Sequence, residues 1–151
     1  MDVKAKREEV TAFMAVADGG LSMAAWLKMI GTSENPRRDR YDEVYVDFTK
    51  HPRELHSDDQ LVLYAVGSGT LMFAIARVTS EPCASGEERF PFRVKIEYSV
   101  NLPVPSGVSV REISDRNLVG AIQFGSSYFS LEQDEFDRAV TLLSARQVAV
   151  V

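Results

Sequence analysis

Alternation between apolar and polar positions is the plainest signal in this chain. Across 91–100, PFRVKIEYSV, the residues Phe92, Val94, Ile96, Tyr98 and Val100 fall on one side, and Arg93, Lys95, Glu97 and Ser99 on the other. A period of two over that length predicts a strand with one buried face and one wet face. A shorter run at 43–48, EVYVDF, sets Val44, Val46 and Phe48 against Tyr45 and Asp47 and predicts a second strand. Between these, 60–82, QLVLYAVGSGTLMFAIARVTSEP, reads as a hairpin with arms at 61–66 and 71–79. Its turn, Gly67-Ser68-Gly69-Thr70, offers the glycines that a tight reversal needs. At 21–31, LSMAAWLKMIG, helix propensity competes with a short strand over 25–30, and the strand is preferred for a reason given below.

Helical spacing appears at both ends. In 3–17, Val10, Phe13, Met14 and Ala17 recur at intervals of three and four, and Asp18-Gly19-Gly20 ends the pattern. A C-terminal helix is predicted over 131–143, with Ser130 and Gln133 at capping-box spacing and Asp134 and Glu135 near the positive end of its dipole. Phe136, Val140 and Leu143 form its apolar face. Pro103 and Pro105 end the long strand, 108–114 reads as a short helix or turn, and 121–125 as one more strand. Five or six short strands with a few helices predict an α+β, mostly-β fold: a small, closed or nearly closed barrel with flanking helices. The simplest division is an N-terminal helical extension over 1–22 and one domain over 23–151.

Composition narrows the function. Hydrophobic residues make up 45% and charged residues 26% of the 151, which excludes disorder for most of the chain. A formal net charge of −5 argues against gripping long duplexes by charge alone, while leaving local recognition of a single base open. Cys83 is the only cysteine, so no intramolecular disulfide forms. With only His51 and His56 to add, no zinc-ligand spacing appears, and neither a metal nor another cofactor is expected. Neither histidine has a Ser, Cys or carboxylate partner at motif spacing, so no catalytic set is assigned. Gly67-Ser68-Gly69 lacks the lysine and the length of a P-loop. No secretory h-region and no apolar run of about 18 residues is present, so the expectation is a cytoplasmic protein without a membrane partner.

The order of segments carries a resemblance. Trp26-Leu27 opens it, followed by DDQLVLYAVGSG, then MFAIARVTSEPC, then Phe90-Pro91-Phe92-Arg93-Val94, and finally FGSSYFSLEQDEFDRAV. Over residues 24–143 this resembles the EVE domain group of the PUA-like superfamily, whose relatives include ASCH and YTH domains. The resemblance implies a PUA-like β-barrel that opens with a strand, which is why 25–30 is read as one. It also implies a non-catalytic role in binding RNA or modified DNA, with a single base inserted into a cavity of aromatic and small polar groups. On this chain the expected pocket residues are Trp26, Ser33, Asn35, Tyr64, Phe124, Ser126 and Tyr128. Trp26 and Tyr64 would stack on the base, at about 1–3 kcal/mol per base, while Ser33 and Asn35 read its edge. Arg37, Arg38 and Arg93 would hold flanking phosphates. The chain departs from the family where its usual His-Ser is replaced by Ala65-Val66, and of the aromatic-Tyr pair only Tyr64 matches.

Each of these residues also has a plain structural reading. Tyr64 and Trp26 serve equally as core, the arginines as solvated loop, and Phe124, Tyr128 or Phe129 as packing. Two other functions stay open. One is an interaction module, with the N-terminal helix docking on a partner or forming a homodimer. The other is an enzyme acting on a small nucleotide or modified base, which a cavity containing a carboxylate within hydrogen-bond reach of a His or Ser would favour.

Overall fold

A computed structural model of the chain describes residues 24–30, 43–65, 71–114 and 128–150. The N-terminal helix, the polar loop over 31–40, the glycine turn and the strand expected at 121–125 lie outside the described residues. The strands are β1 (Ala25–Ile30), β2 (Tyr45–Phe48), β3 (Gln60–Ala65), β4 (Leu71–Val78), β5 (Cys83–Ala84), β6 (Phe92–Asn101), β7 (Val108–Ser109) and β8 (Tyr128–Leu131), followed by helix α1 (Gln133–Val150). They form one sheet in the order β2-β6-β4-β3-β1-β8, with β5 added to β6 and β7 to β4. β1 and β3 run parallel, with Trp26 opposite Leu61 and Met29 opposite Tyr64. The fold is α+β and mostly β, as the alternation predicts.

The sheet curls, and its central strands β1, β3 and β4 are buried on both faces. On the concave face, Trp26, Ile30, Val46, Phe48, Leu61, Leu63, Phe73, Val94 and Ile96 pack together, and Leu55 closes one end from the β2–β3 connection. On the convex face, Leu27, Val62, Tyr64, Met72, Ile75, Val100 and Leu131 pack against Ala139 and Leu143 of α1. Central strands covered on both sides read as continuous apolar runs, which is why β3 and β4 show no alternation in the sequence.

Two irregularities bend the sheet. The β3–β4 register shifts between Leu63 and Tyr64, leaving Phe73 as an extra residue in β4. The β4–β6 register shifts between Ile75 and Ala76, leaving Ser99 as the extra residue in β6. The Ser99 hydroxyl donates to the Ile75 carbonyl at 3.3 Å. Bulges of this kind raise local twist and curvature. The second one corrects the uniform alternation expected of 91–100, because Val100 joins the convex core while Val94 and Ile96 join the concave one. A close approach is needed at Gly107, which ends a 3-10 turn over Val104–Ser106: a Cβ there would collide with the Met72 carbonyl oxygen.

Helix α1 starts two residues later than the capping-box spacing predicts. Ser130 is still in β8, and Glu135 reaches back to accept from the Glu132 backbone N–H at 2.8 Å. The reciprocal half of a capping box is therefore made by Glu135 rather than Gln133. The segment 108–114 becomes β7 followed by a 3-10 turn over Val110–Glu112.

Tyr64 is 2% exposed, and burial pushes its phenol up to about 12. The unfolded chain ionises this group near its ordinary value of 10.0, so stability from it is complete below that pH and falls as pH rises from there toward about 12. Tyr64→Ala is expected to destabilise the domain by about 3–5 kcal/mol, read as a lower urea midpoint at unchanged slope. Tyr64→Phe should stay folded and lose this tyrosine's share of the alkaline destabilisation.

Candidate functional site at the seam of the sheet

The sheet order ends on β2 at one side and β8 at the other, and the curl brings these edges together. Aromatic rings join them. The Tyr128 ring of β8 meets the Phe48 ring of β2 edge-on, with centroids 5.5 Å apart at 89°. It also meets Trp26 of β1 at 5.3 Å and 66°. Edge-to-face pairs contribute about 0.5–1.5 kcal/mol each beyond area burial. This seam therefore costs less to part than a run of ladder hydrogen bonds.

Trp26 is held in place by Asp59. A tight turn delivers this carboxylate: Asp58 takes φ +77°, a conformation that Asp tolerates better than most residues. Asp59 is 6% exposed. One of its oxygens accepts from Trp26 Nε1 at 3.1 Å and from the His56 N–H at 3.0 Å, and the other from the Ala24 N–H at 3.3 Å. A buried carboxylate with three donors is well satisfied.

Lys28 shares the concave face with Trp26 and Ile30 and is 4% exposed. Its Nζ donates to the Met29 carbonyl at 3.0 Å and lies 4.7 Å from the centre of the Phe48 ring. Burial lowers its pKa from 10.5 to about 7, partly offset by the charge of Asp47. Tyr128 is half-buried, and its phenol is pushed up by burial and by the Glu54 charge, against a hydrogen bond from the Glu54 backbone.

On the outer face, Arg93 and Asp47 are paired in register, with Nε donating to Oδ1 at 3.1 Å. The Arg93 guanidinium stands 4.5 Å from the centre of the Tyr45 ring. Arg77 pairs with Asp58 at 2.8 Å and Glu97 at 3.6 Å, as expected of an arginine in an apolar strand. His56 Nδ1 lies 3.2 Å from Glu81, a partner 25 residues away that no motif spacing indicates. The Ser57 N–H, with His56, holds the Glu81 carboxyl below its ordinary value. Among the described residues no group of His, Cys, Asp and Glu is arranged to hold a metal ion. No helix among them is long and apolar enough to cross a membrane.

The expected pocket is thus regrouped. Trp26 and Tyr128 are brought together. Tyr64 is not: it follows Leu63 by one residue, so the pleat turns it to the convex core, opposite Trp26. The two rings cannot form facing walls of one slot, and Phe48 takes the place expected of Tyr64. Arg93 lies outside on the neighbouring edge. Ser33, Asn35, Arg37, Arg38, Phe124 and Ser126 fall outside the described residues. The residue that sequence reading missed is Lys28, although the same period of two that places Trp26 and Ile30 on one face places Lys28 between them.

Together these features define a curled, mostly-β sheet with a C-terminal helix and an aromatic seam. No protein-family model matches the chain, and a search of curated proteins finds no match. Solved structures do. Rpa0253 from Rhodopseudomonas palustris, an NMR structure, superposes with a TM-score of 0.55 at 14% identity, covering 82% of this chain and 94% of that one. That likeness shows a shared fold. Protein Atu2648 from Agrobacterium tumefaciens gives 0.49 at 12% identity, over 79% of this chain and 92% of its own. Human THYN1, crystallised with DNA containing 5-methylcytosine, gives 0.47 at 12% identity, over 82% and 98%.

The lysine generates a stability prediction. Below about pH 7 both folded and unfolded chains carry the ammonium, and the burial penalty is complete; between there and 10.5 the unfolded chain binds more protons, so stability rises with pH. Lys28→Met is expected to stabilise the domain at pH 6 by about 2–4 kcal/mol and to remove this rise, measured by urea unfolding across pH. A destabilised variant with the rise intact would contradict the assignment.

Proposed function

We propose that the chain is a non-catalytic nucleic-acid-binding domain of the EVE type that takes one base, modified or unmodified, from RNA or DNA. The observation that carries this reading is the seam. Three rings from three strands meet where β2 and β8 face each other with no backbone ladder among the described residues, and the most exposed of them is Tyr128. A planar heterocycle that enters between the Tyr128 and Trp26 rings exchanges their edge contact for base stacking on both, which needs no excess of positive charge. This suits a chain of net charge −5.

Trp26, Phe48 and Tyr128 are the stacking groups in this reading. Ser33 and Asn35 follow β1 by three and five residues in the sequence, and Phe124 and Ser126 precede Tyr128 by four and two; in this reading they supply further polar and aromatic partners. Arg37, Arg38 and the Tyr45-backed Arg93 take flanking phosphates. The segment-order resemblance to EVE domains supports the same conclusion.

Fluorescence anisotropy with oligonucleotides carrying one unpaired base tests it. Tyr128→Ala is expected to weaken binding by about 5- to 150-fold, with a salt slope no steeper than about −3 from the three arginines. Equal, weak binding of all oligonucleotides, untouched by the substitution, would contradict the reading.

A further inference from the structure

We propose that Lys28 selects the inserted base by donating from Nζ to an exocyclic carbonyl oxygen, so that the site takes thymine, uracil or guanine in preference to adenine. This rests on the base-reading function above and names its selecting group. Lys28 stands on the concave face between Trp26 and Ile30, behind the rings that close the seam. An ammonium has three donors. One goes to the Met29 carbonyl beside it, and among the described residues no carboxylate forms an ion pair with it. Asp47, whose charge supports it, is bonded to Arg93 on the outer face. Among the described residues the amine thus has one hydrogen-bond acceptor for three donors, with the Phe48 ring against it.

A stacked base brings an acceptor to that place. Thymine and uracil carry a carbonyl oxygen at C4 and guanine one at C6, whereas adenine carries an amino group in the corresponding position. The ammonium is the better donor, and the free protein loses that proton near pH 7. Preference for carbonyl bases should therefore fall as pH rises through that value. The titratable groups on neighbouring elements are Asp47 on β2, whose charge acts on the amine from the outer face, and Tyr128 on β8, paired opposite Lys28 and subject in turn to the Glu54 charge. Lys28→Met keeps all of them, so it isolates the contribution of the amine.

The test uses the full chain and duplexes of one sequence with an unpaired thymine, guanine, adenine or abasic site, titrated near pH 6 and near pH 8.5. The wild type is expected to prefer thymine and guanine over adenine by about tenfold at the lower pH, and by less at the higher one. Lys28→Met should bind all bases alike at both. The Nζ resonance of Lys28 in the wild-type protein should shift on saturation with thymine and not with adenine, a readout independent of any variant. If binding persists and the preference survives in Lys28→Met, or the resonance does not move, Lys28 is not the selector while the base-reading function stands. If no oligonucleotide binds the wild type, both fall together.

Discussion

The structure depends on a sheet whose central strands β1, β3 and β4 are buried on both faces. In such strands almost no position faces water, so the pleat decides which core a side chain enters. On β1 it sends Trp26 and Lys28 to the concave core and Leu27 to the convex one. A slip of one residue would set Lys28 against α1 and remove Trp26 from Asp59. The parallel pairing of β1 with β3, held residue by residue from Ala25 opposite Gln60 to Ile30 opposite Ala65, fixes that register. The Asp59 carboxylate fixes it a second time, by binding both the Ala24 backbone and the Trp26 indole.

From that register follows the manner of closure. Edge strands carry unpaired backbone groups that invite other chains, and a protein must cover or pair them. Here the curl sets the edges β2 and β8 against each other, and Phe48 and Tyr128 fill the gap with rings. Ring contacts hold a shape while allowing rearrangement, whereas a continuous ladder would resist it. Among the described residues, the curled sheet thus has one line held by side chains rather than by a ladder. Lys28 stands behind that line, and its burial is the one clear conflict between stability and composition in the concave core.

Much of this architecture was legible in the chain. β2 and β6 follow from period-two runs, β3 and β4 from apolar runs flanking a glycine turn, and β1 from the resemblance in segment order, and each falls within two residues of the reading. The start of α1 did not follow, because Ser130 offers a good cap while β1 claims it for pairing opposite Trp26. β8 was hidden for the same reason: a strand of four residues joined directly to a helix has no pattern of its own. Tyr64 was assigned to a pocket because a phenol in an apolar run stands out, yet its parity with Val62 and its distance from Trp26's face were both contained in the alternation. Lys28 was overlooked because it counted toward helix propensity in a segment whose period was ambiguous. Long-range pairs such as Asp59 with Trp26, or His56 with Glu81, depend on turns that no local spacing encodes.

The chain contains a single tryptophan, and it lies at the seam. Intrinsic fluorescence therefore reports on that site alone among the tryptophan signals. Titration with an oligonucleotide carrying one unpaired thymine, with saturation established separately, tests most directly whether a base enters between the rings. The account predicts strong quenching and a shifted emission maximum as the indole exchanges the Tyr128 ring for a stacked base. A Trp26 spectrum unchanged at full saturation would place the nucleic acid elsewhere on the surface and contradict it.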